Sequence, residues 1–167
     1  MKRKFLMIGV ILLAICISIG AVCADDSWSF NFGSSSESNS DGGDINIENN
    51  HVKIQGLEFD IPDGFEENES ARVVGEETDE DSFPGLKVSK VEFDKGDDFI
   101  VIKAIFGDED IDADSYTPGE DTIDQTINDV DGYLSEQEDG ATFDYIKDGK
   151  LVEIVTSDKE LLNDLVQ

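Results

Sequence analysis

The clearest chemical spacing in the chain is Asp110-Ile-Asp112-Ala-Asp114. Three carboxylates at alternate positions are how an EF-hand-type loop offers oxygens to Ca2+ from its first, third and fifth places. The pattern then departs. Ser115 stands where a glycine makes the sharp turn, Pro118 falls inside the loop, and Asp121 replaces the bidentate glutamate. Asp110, Asp112 and Asp114 are therefore candidate ligands for a weakly held Ca2+. The plainer reading of the same residues is an acidic strand-to-helix connection.

Other chemistries lack their parts. The single histidine, His51, begins a strand, and both cysteines, Cys16 and Cys23, lie near the N-terminus. Zinc ligation and Cys-His or Ser-His nucleophilic catalysis need more groups than these. A hydrolase that works with two carboxyls across a cleft would draw on 40 acidic residues, and nothing in their spacing selects a pair. No catalytic residue is assigned, and weak Ca2+ is the one cofactor considered. Asn68-Glu69-Ser70 matches the acceptor pattern for N-glycosylation, which makes Asn68 a candidate attachment point if the chain is exported.

Charge narrows the partners. The 167 residues carry a formal net charge of −28. Such a chain repels nucleic acid and anionic membrane surfaces. Every acidic residue follows position 24, whereas Lys2, Arg3 and Lys4 precede it. Residues 1–24 have the layout of a signal peptide: a basic start, an apolar run from Phe5 to Ile19, and Val22-Cys23-Ala24 before a cut at Asp25. The alternative is an uncleaved anchor, since Phe5 to Cys23 approaches the length of a membrane span. Either way the chain is exported, free or tethered to the outer face of the cell membrane, and membrane contact runs only through this segment. Cleavage removes both cysteines and takes the charge from −28 to −31. Residues 25–44 form a Ser/Gly/Asn-rich linker. Trp28, Phe30 and Phe32 alternate at its start; the functional reading is an aromatic sticker for a partner or a membrane interface, and the plainer one, which is favoured, is a loose tail or an extra edge strand.

Residues 45–167 must then hold the folded domain. Thr142 to Ser157 reads as a β-hairpin turning at Asp148-Gly149, with Phe143 opposite Ile154 and Tyr145 opposite Val152. That register sets Asp144 opposite Glu153 on the other face, a like-charged pair that costs stability. Val52–Ile54 and Leu57–Ile61 are short strands, and Phe99–Phe106 is a central strand covered on both faces. Leu86–Phe93 changes phase midway, which predicts a bulge near Ser89-Lys90. Thr117-Pro118-Gly119-Glu120 has a capping-box layout, and Ile123, Ile127 and Val130 follow at helical spacing, so Thr117–Val130 is expected to be a helix. Ser157 would cap a second helix over Asp158–Val166. The fold class is α+β: a largely antiparallel sheet of five to seven strands packed with two helices. The expected core includes Phe59, Ile61, Val88, Phe99, Val101, Ile105, Phe143, Tyr145, Val152, Ile154, Leu161 and Leu165.

Three stretches, KIQGLEFDIPDGF from Lys53 to Phe65, the strand FIVIKAIF, and FDYIKDGKLVEIV from Phe143 to Val155, resemble a family of small, uncharacterised exported proteins of methanogenic archaea. The resemblance covers roughly Asp44 to the C-terminus. It implies export, a linker and a domain of this layout, and it brings no activity or functional residue with it. The leading functional expectation is a non-catalytic extracellular or cell-surface module acting by surface charge or partner binding, with a cell-surface or wall component as a possible partner. A weak Ca2+- or divalent-cation-dependent module and a carboxylate-based hydrolase are the alternatives. The sequence leaves the oligomeric state open.

One consequence is measurable at once. Folding concentrates the carboxylates, and salt shortens their repulsion from about 10 Å at 0.1 M to about 3 Å at 1 M. The melting temperature of residues 44–167 is expected to rise with NaCl between about 0.01 and 0.5 M at pH 7. A flat or falling series, read by differential scanning calorimetry, would mean the charges are already compensated locally.

Overall fold

A computed structural model describes residues 45–78, 83–119 and 121–167. The expected signal segment (1–24), the linker (25–44) with its three aromatics, residues 79–81 of the acidic run and Glu120 lie outside the described residues.

Tight turns set the architecture. The first three strands are β1 (Ile45–Glu48), β2 (His51–Ile54) and β3 (Leu57–Asp60). They are joined where Asn49 (φ 56°) and Gln55-Gly56 (φ 52° and 84°) enter the left-handed region. The chain continues through β4 (Glu66–Glu67), a 3-10 turn at Glu69–Ala71, β5 (Val73–Glu77), β6 (Lys87–Lys95) and β7 (Asp98–Phe106). A second 3-10 turn at Ala113–Ser115 precedes β8 (Ile123–Ile127), β9 (Val130–Gln137), β10 (Gly140–Lys147) and β11 (Lys150–Thr156). A third 3-10 turn, Lys159–Leu161, leads into the short helix α1 (Leu162–Leu165).

These strands make two antiparallel sheets. The small one has the order β1-β2-β3; the large one has the order β4-β6-β7-β11-β10-β9-β8, with β5 also paired to β6. Period-two alternation gives each sheet one apolar face. Val52, Ile54, Leu57 and Phe59 of the small sheet join Ile100, Ile102, Phe143, Tyr145, Val152 and Ile154 of the large one in a single buried cluster. Leu162, Leu165 and Val166 close it. Each such side chain contributes about 1.5–3 kcal/mol by leaving water. The expected hairpin has its expected register, Phe143 with Ile154 and Tyr145 with Val152. Asp148 and Gly149 have φ of 50° and 69°, the two left-handed residues of a type I′ turn.

The protein is mostly antiparallel sheet, as the alternation predicts, but several expectations are corrected. Thr117–Val130 is not a helix. Its second half is β8, which turns at Asn128-Asp129 (φ 49° and 66°) into β9. Ile123 and Ile127 are four apart, a spacing that one face of a strand satisfies as well as one face of a helix does, and the Asn-Asp pair decides for the turn. The second helix shrinks to the 3-10 turn and α1. Its cap is Asp158, whose Oδ1 accepts from the Glu160 amide at 3.0 Å, and not Ser157. The Ser157 hydroxyl instead accepts from the Phe99 amide at 3.1 Å and joins β11 to the start of β7.

The strand count exceeds five to seven: among the described residues eleven strands make a three-stranded and an eight-stranded sheet, with β8 formed where a helix was expected and the short β1, β4 and β5 added. The bulge lies in β5, not β6: the register slips between Val73 and Glu76, opposite Lys90 and Val88. The slip is held by the Gly75 amide, which donates to the buried Ser89 hydroxyl at 3.0 Å. The central strand shows its even-numbered residues Ile100, Ile102 and Ala104 to the main core. Val101 and Ile105 are buried on the opposite face, while Val88, Phe99 and Leu161 are only half-buried.

Thr156 is fully buried, and its hydroxyl has no hydrogen-bond partner among the described residues. An apolar isostere removes that desolvation cost, so Thr156→Val is expected to raise stability by about 1 kcal/mol. Chemical denaturation with an unchanged m-value checks it, and a loss of stability would show that the hydroxyl is satisfied.

Candidate functional site

The outer face of the large sheet carries the polar chemistry. Register places Lys90, Lys103, Glu153, Asp144, Tyr133 and Asp124 in one row across β6, β7, β11, β10, β9 and β8. Opposed residues share a face, so all six lie on the side away from the core. The like-charged neighbours Asp144 and Glu153 are each given a partner. Lys103 Nζ lies 2.5 Å from Glu153 Oε1, and their side chains are 22% and 15% exposed. The Tyr116 hydroxyl donates to Asp144 Oδ2 at 2.7 Å.

Tyr116 reaches that row because the segment after β7 folds back over it. The Ile111 amide donates to the Gly149 carbonyl at 2.8 Å. Asp110 sits so close to the hairpin turn that a Cβ on Gly149 would meet its carboxylate. The Tyr116 and Tyr133 rings lie 5.6 Å apart at 50°. Burial first, then the charge of Asp144 and the bond to it, push the Tyr116 phenol far above its ordinary range. Burial alone raises that of Tyr145.

Beyond this row the sheet forks. β9 and β10 pair from Gly140–Gln137 to Asp144–Tyr133 and no further, although β9 begins at Val130 and β10 runs to Lys147. An open crevice of about 510 Å³ lies there, lined by Ala113, Asp124, Asp131, Tyr133, Tyr145 and Ile146 among others. The Thr126 hydroxyl donates to Asp131 Oδ1 at 2.7 Å. Gly132 permits the close approach at the fork, since a Cβ there would meet the Asp144 carbonyl and the Phe143 ring. The crevice has an aromatic wall and two exposed carboxylates, so it suits a cationic group.

The residues singled out by sequence lie elsewhere. Asp112 Oδ1 accepts from the Asp114 amide at 3.1 Å, which caps its own 3-10 turn, while Asp110 lies against Gly149. Among the described residues, no three His, Cys, Asp or Glu side chains are grouped as a metal site would need. Asn68 Nδ2 donates to Glu92 Oε1 at 3.2 Å, and the Ser70 hydroxyl donates to Asn68 Oδ1 at 2.7 Å. A glycan on Asn68 would leave one Nδ2 hydrogen, which could still serve the bond to Glu92. His51 Nδ1 lies 2.9 Å from Asp60 Oδ1, its exposed cross-strand neighbour. That bond, then one from Gln167, holds the Asp60 carboxyl below its usual range.

Sequence reading missed Asp124, Asp131 and Tyr133 because it wound β8 into a helix. The Asn128-Asp129 turn was the signal that could have found them. Among the described residues, no helix is long and apolar enough to cross a membrane. Comparison with protein-family models, curated proteins and solved structures finds no match.

The Lys103–Glu153 pair is a testable joint. Removing one partner of a mostly buried pair leaves the other charge uncompensated, whereas replacing both is far milder. Lys103→Met is expected to cost about 2 kcal/mol, and Lys103→Met with Glu153→Leu to lie within about 1 kcal/mol of wild type. A double-mutant cycle by urea denaturation reads it, and additive losses would show that the two side chains act independently.

Proposed function

We propose that this protein is a non-catalytic extracellular or cell-surface module that binds a cationic partner through the outer face of its large sheet. The observation that carries the reading is a division of labour among carboxylates. Asp144 and Glu153, the half-buried pair, are committed to Tyr116 and Lys103. Asp124 and Asp131 are exposed at a crevice with a tyrosine wall. Structural carboxylates are thus tied down inside, and unneutralised ones face solvent beside an aromatic surface that attracts cations. The net charge of −28 steers such a partner in over distance.

Poly-L-lysine and poly-L-glutamate are the probes. The full protein is expected to bind the first and not the second, with affinity falling steeply as NaCl rises. Asp124→Asn with Asp131→Asn is expected to weaken that binding about threefold or more if the crevice carries it. Hydrolytic turnover of a polysaccharide or peptide, abolished by Asp124→Asn in a folded variant, would replace this reading with an enzymatic one.

A further inference from the structure

We infer that β8 is a docking edge for an extended, lysine- or arginine-bearing segment of a partner protein, which adds to the large sheet as a further strand. This rests on the binding-module reading and names the partner's chemistry.

The two ends of the large sheet differ. At one end β4 has two residues, and β5 is broken by its register slip and by Gly75 at φ 62°. Short, irregular edges resist pairing with another chain. At the other end β8 keeps an unbroken register with β9 from Ile123–Leu134 to Ile127–Val130. It has no lysine, proline or bulge, and its single charge, Asp124, guards it against an acidic strand but not against a basic one.

The geometry says which backbone groups are on offer. A two-residue turn makes Ile127 and Val130 a hydrogen-bonded pair, so Gln125–Gly132 and Ile123–Leu134 are hydrogen-bonded as well. The amides and carbonyls of Asp124 and Thr126 therefore point away from β9. One of them is covered by the chain itself: Gln125 Nε2 folds over the edge and donates to the Thr126 carbonyl at 3.0 Å, a bond that an incoming strand would replace. Among the described residues no strand pairs with this edge.

The side chains define the occupant. On the core-facing side Ile123 is 56% exposed although its neighbour Leu134 is buried, so an apolar side chain arriving beside it would cover it. On the outer side stand Asp124, Thr126 and Asp131. A second copy of this chain would bring −28 against −28 and place like charges together. A strand that alternates apolar and basic residues satisfies both faces at once. Main-chain bonds would supply affinity, and the carboxylates would select the partner.

The test uses the full protein and three short capped peptides. One alternates lysine with valine, one is the same peptide N-methylated on every amide so that it can donate along neither edge, and one has glutamate for lysine. Amide hydrogen exchange by NMR is the readout. The lysine peptide is expected to slow exchange at Asp124 and Thr126 by about tenfold or more, because free edge amides become bonded. The other two peptides should not. Asp124→Asn and, separately, Thr126→Pro, which removes an outward amide without touching the β9 ladder, should weaken binding at least about threefold with circular dichroism unchanged.

Equal binding by the N-methylated peptide, or protection on β1 or β3 instead, would overturn the edge while leaving a cation-binding module in place. Failure of the lysine peptide and of poly-L-lysine alike would remove both.

Discussion

Glu153 and Asp144 face each other across β11 and β10 with the same charge, and much of the outer face is arranged to make that tolerable. The opposition cannot be avoided by sliding the strands. Phe143, Tyr145, Val152 and Ile154 are all buried on the core side, and a slip of one residue would turn them outward. The core therefore imposes the register, and the register imposes the clash. Lys103 from β7 answers Glu153, and the Tyr116 hydroxyl answers Asp144. The second answer comes from outside the strands, so it accompanies the segment after β7 back over the sheet. Val101, Ile105 and Leu151 are buried on this same outer side, which gives the sheet a second apolar patch beside the charged row.

That arrangement separates two kinds of acid. A half-buried carboxylate without a partner would be costly, and Asp144, Glu153 and Glu92 on this face have partners. The many others can remain on the surface only because water and salt screen them. The large sheet shows the change along its length. At β7, β11 and β10 the outer row is internally paired; at β9 and β8, where the fork opens, Asp131 and Asp124 face outward. The other carboxylates of the row, Asp144 and Glu153, are already bonded to Tyr116 and Lys103.

The C-terminus supports the same end of the sheet. Asn128, at the β8–β9 turn, donates from Nδ2 to the carbonyls of Asn163 at 2.7 Å and Val166 at 3.0 Å. The same residue both allows the left-handed turn and ties it to α1. The β8–β9 hairpin is thus anchored at its turn.

The sequence by itself determined the local features. The Asp148-Gly149 turn, the pairing of Phe143 with Ile154, the short strands either side of Gly56 and the central strand at Phe99–Phe106 were all legible, because turn chemistry and period-two alternation act over a few neighbouring residues. It also announced the Asp144–Glu153 conflict. The tertiary structure alone decided how that conflict was met, since Lys103 and Tyr116 lie some 50 and 28 positions away from the acids they serve. It settled that Ile123 to Val130 became a hairpin: the apolar spacing fits either periodicity, and the extended form gains its ladder from β9 across the Asn128-Asp129 turn. It also placed Asp110, Asp112 and Asp114 apart in role, one against a turn and one capping its neighbour. Spacing along a chain states which side chains are available, and only the path of the backbone in space states which of them converge.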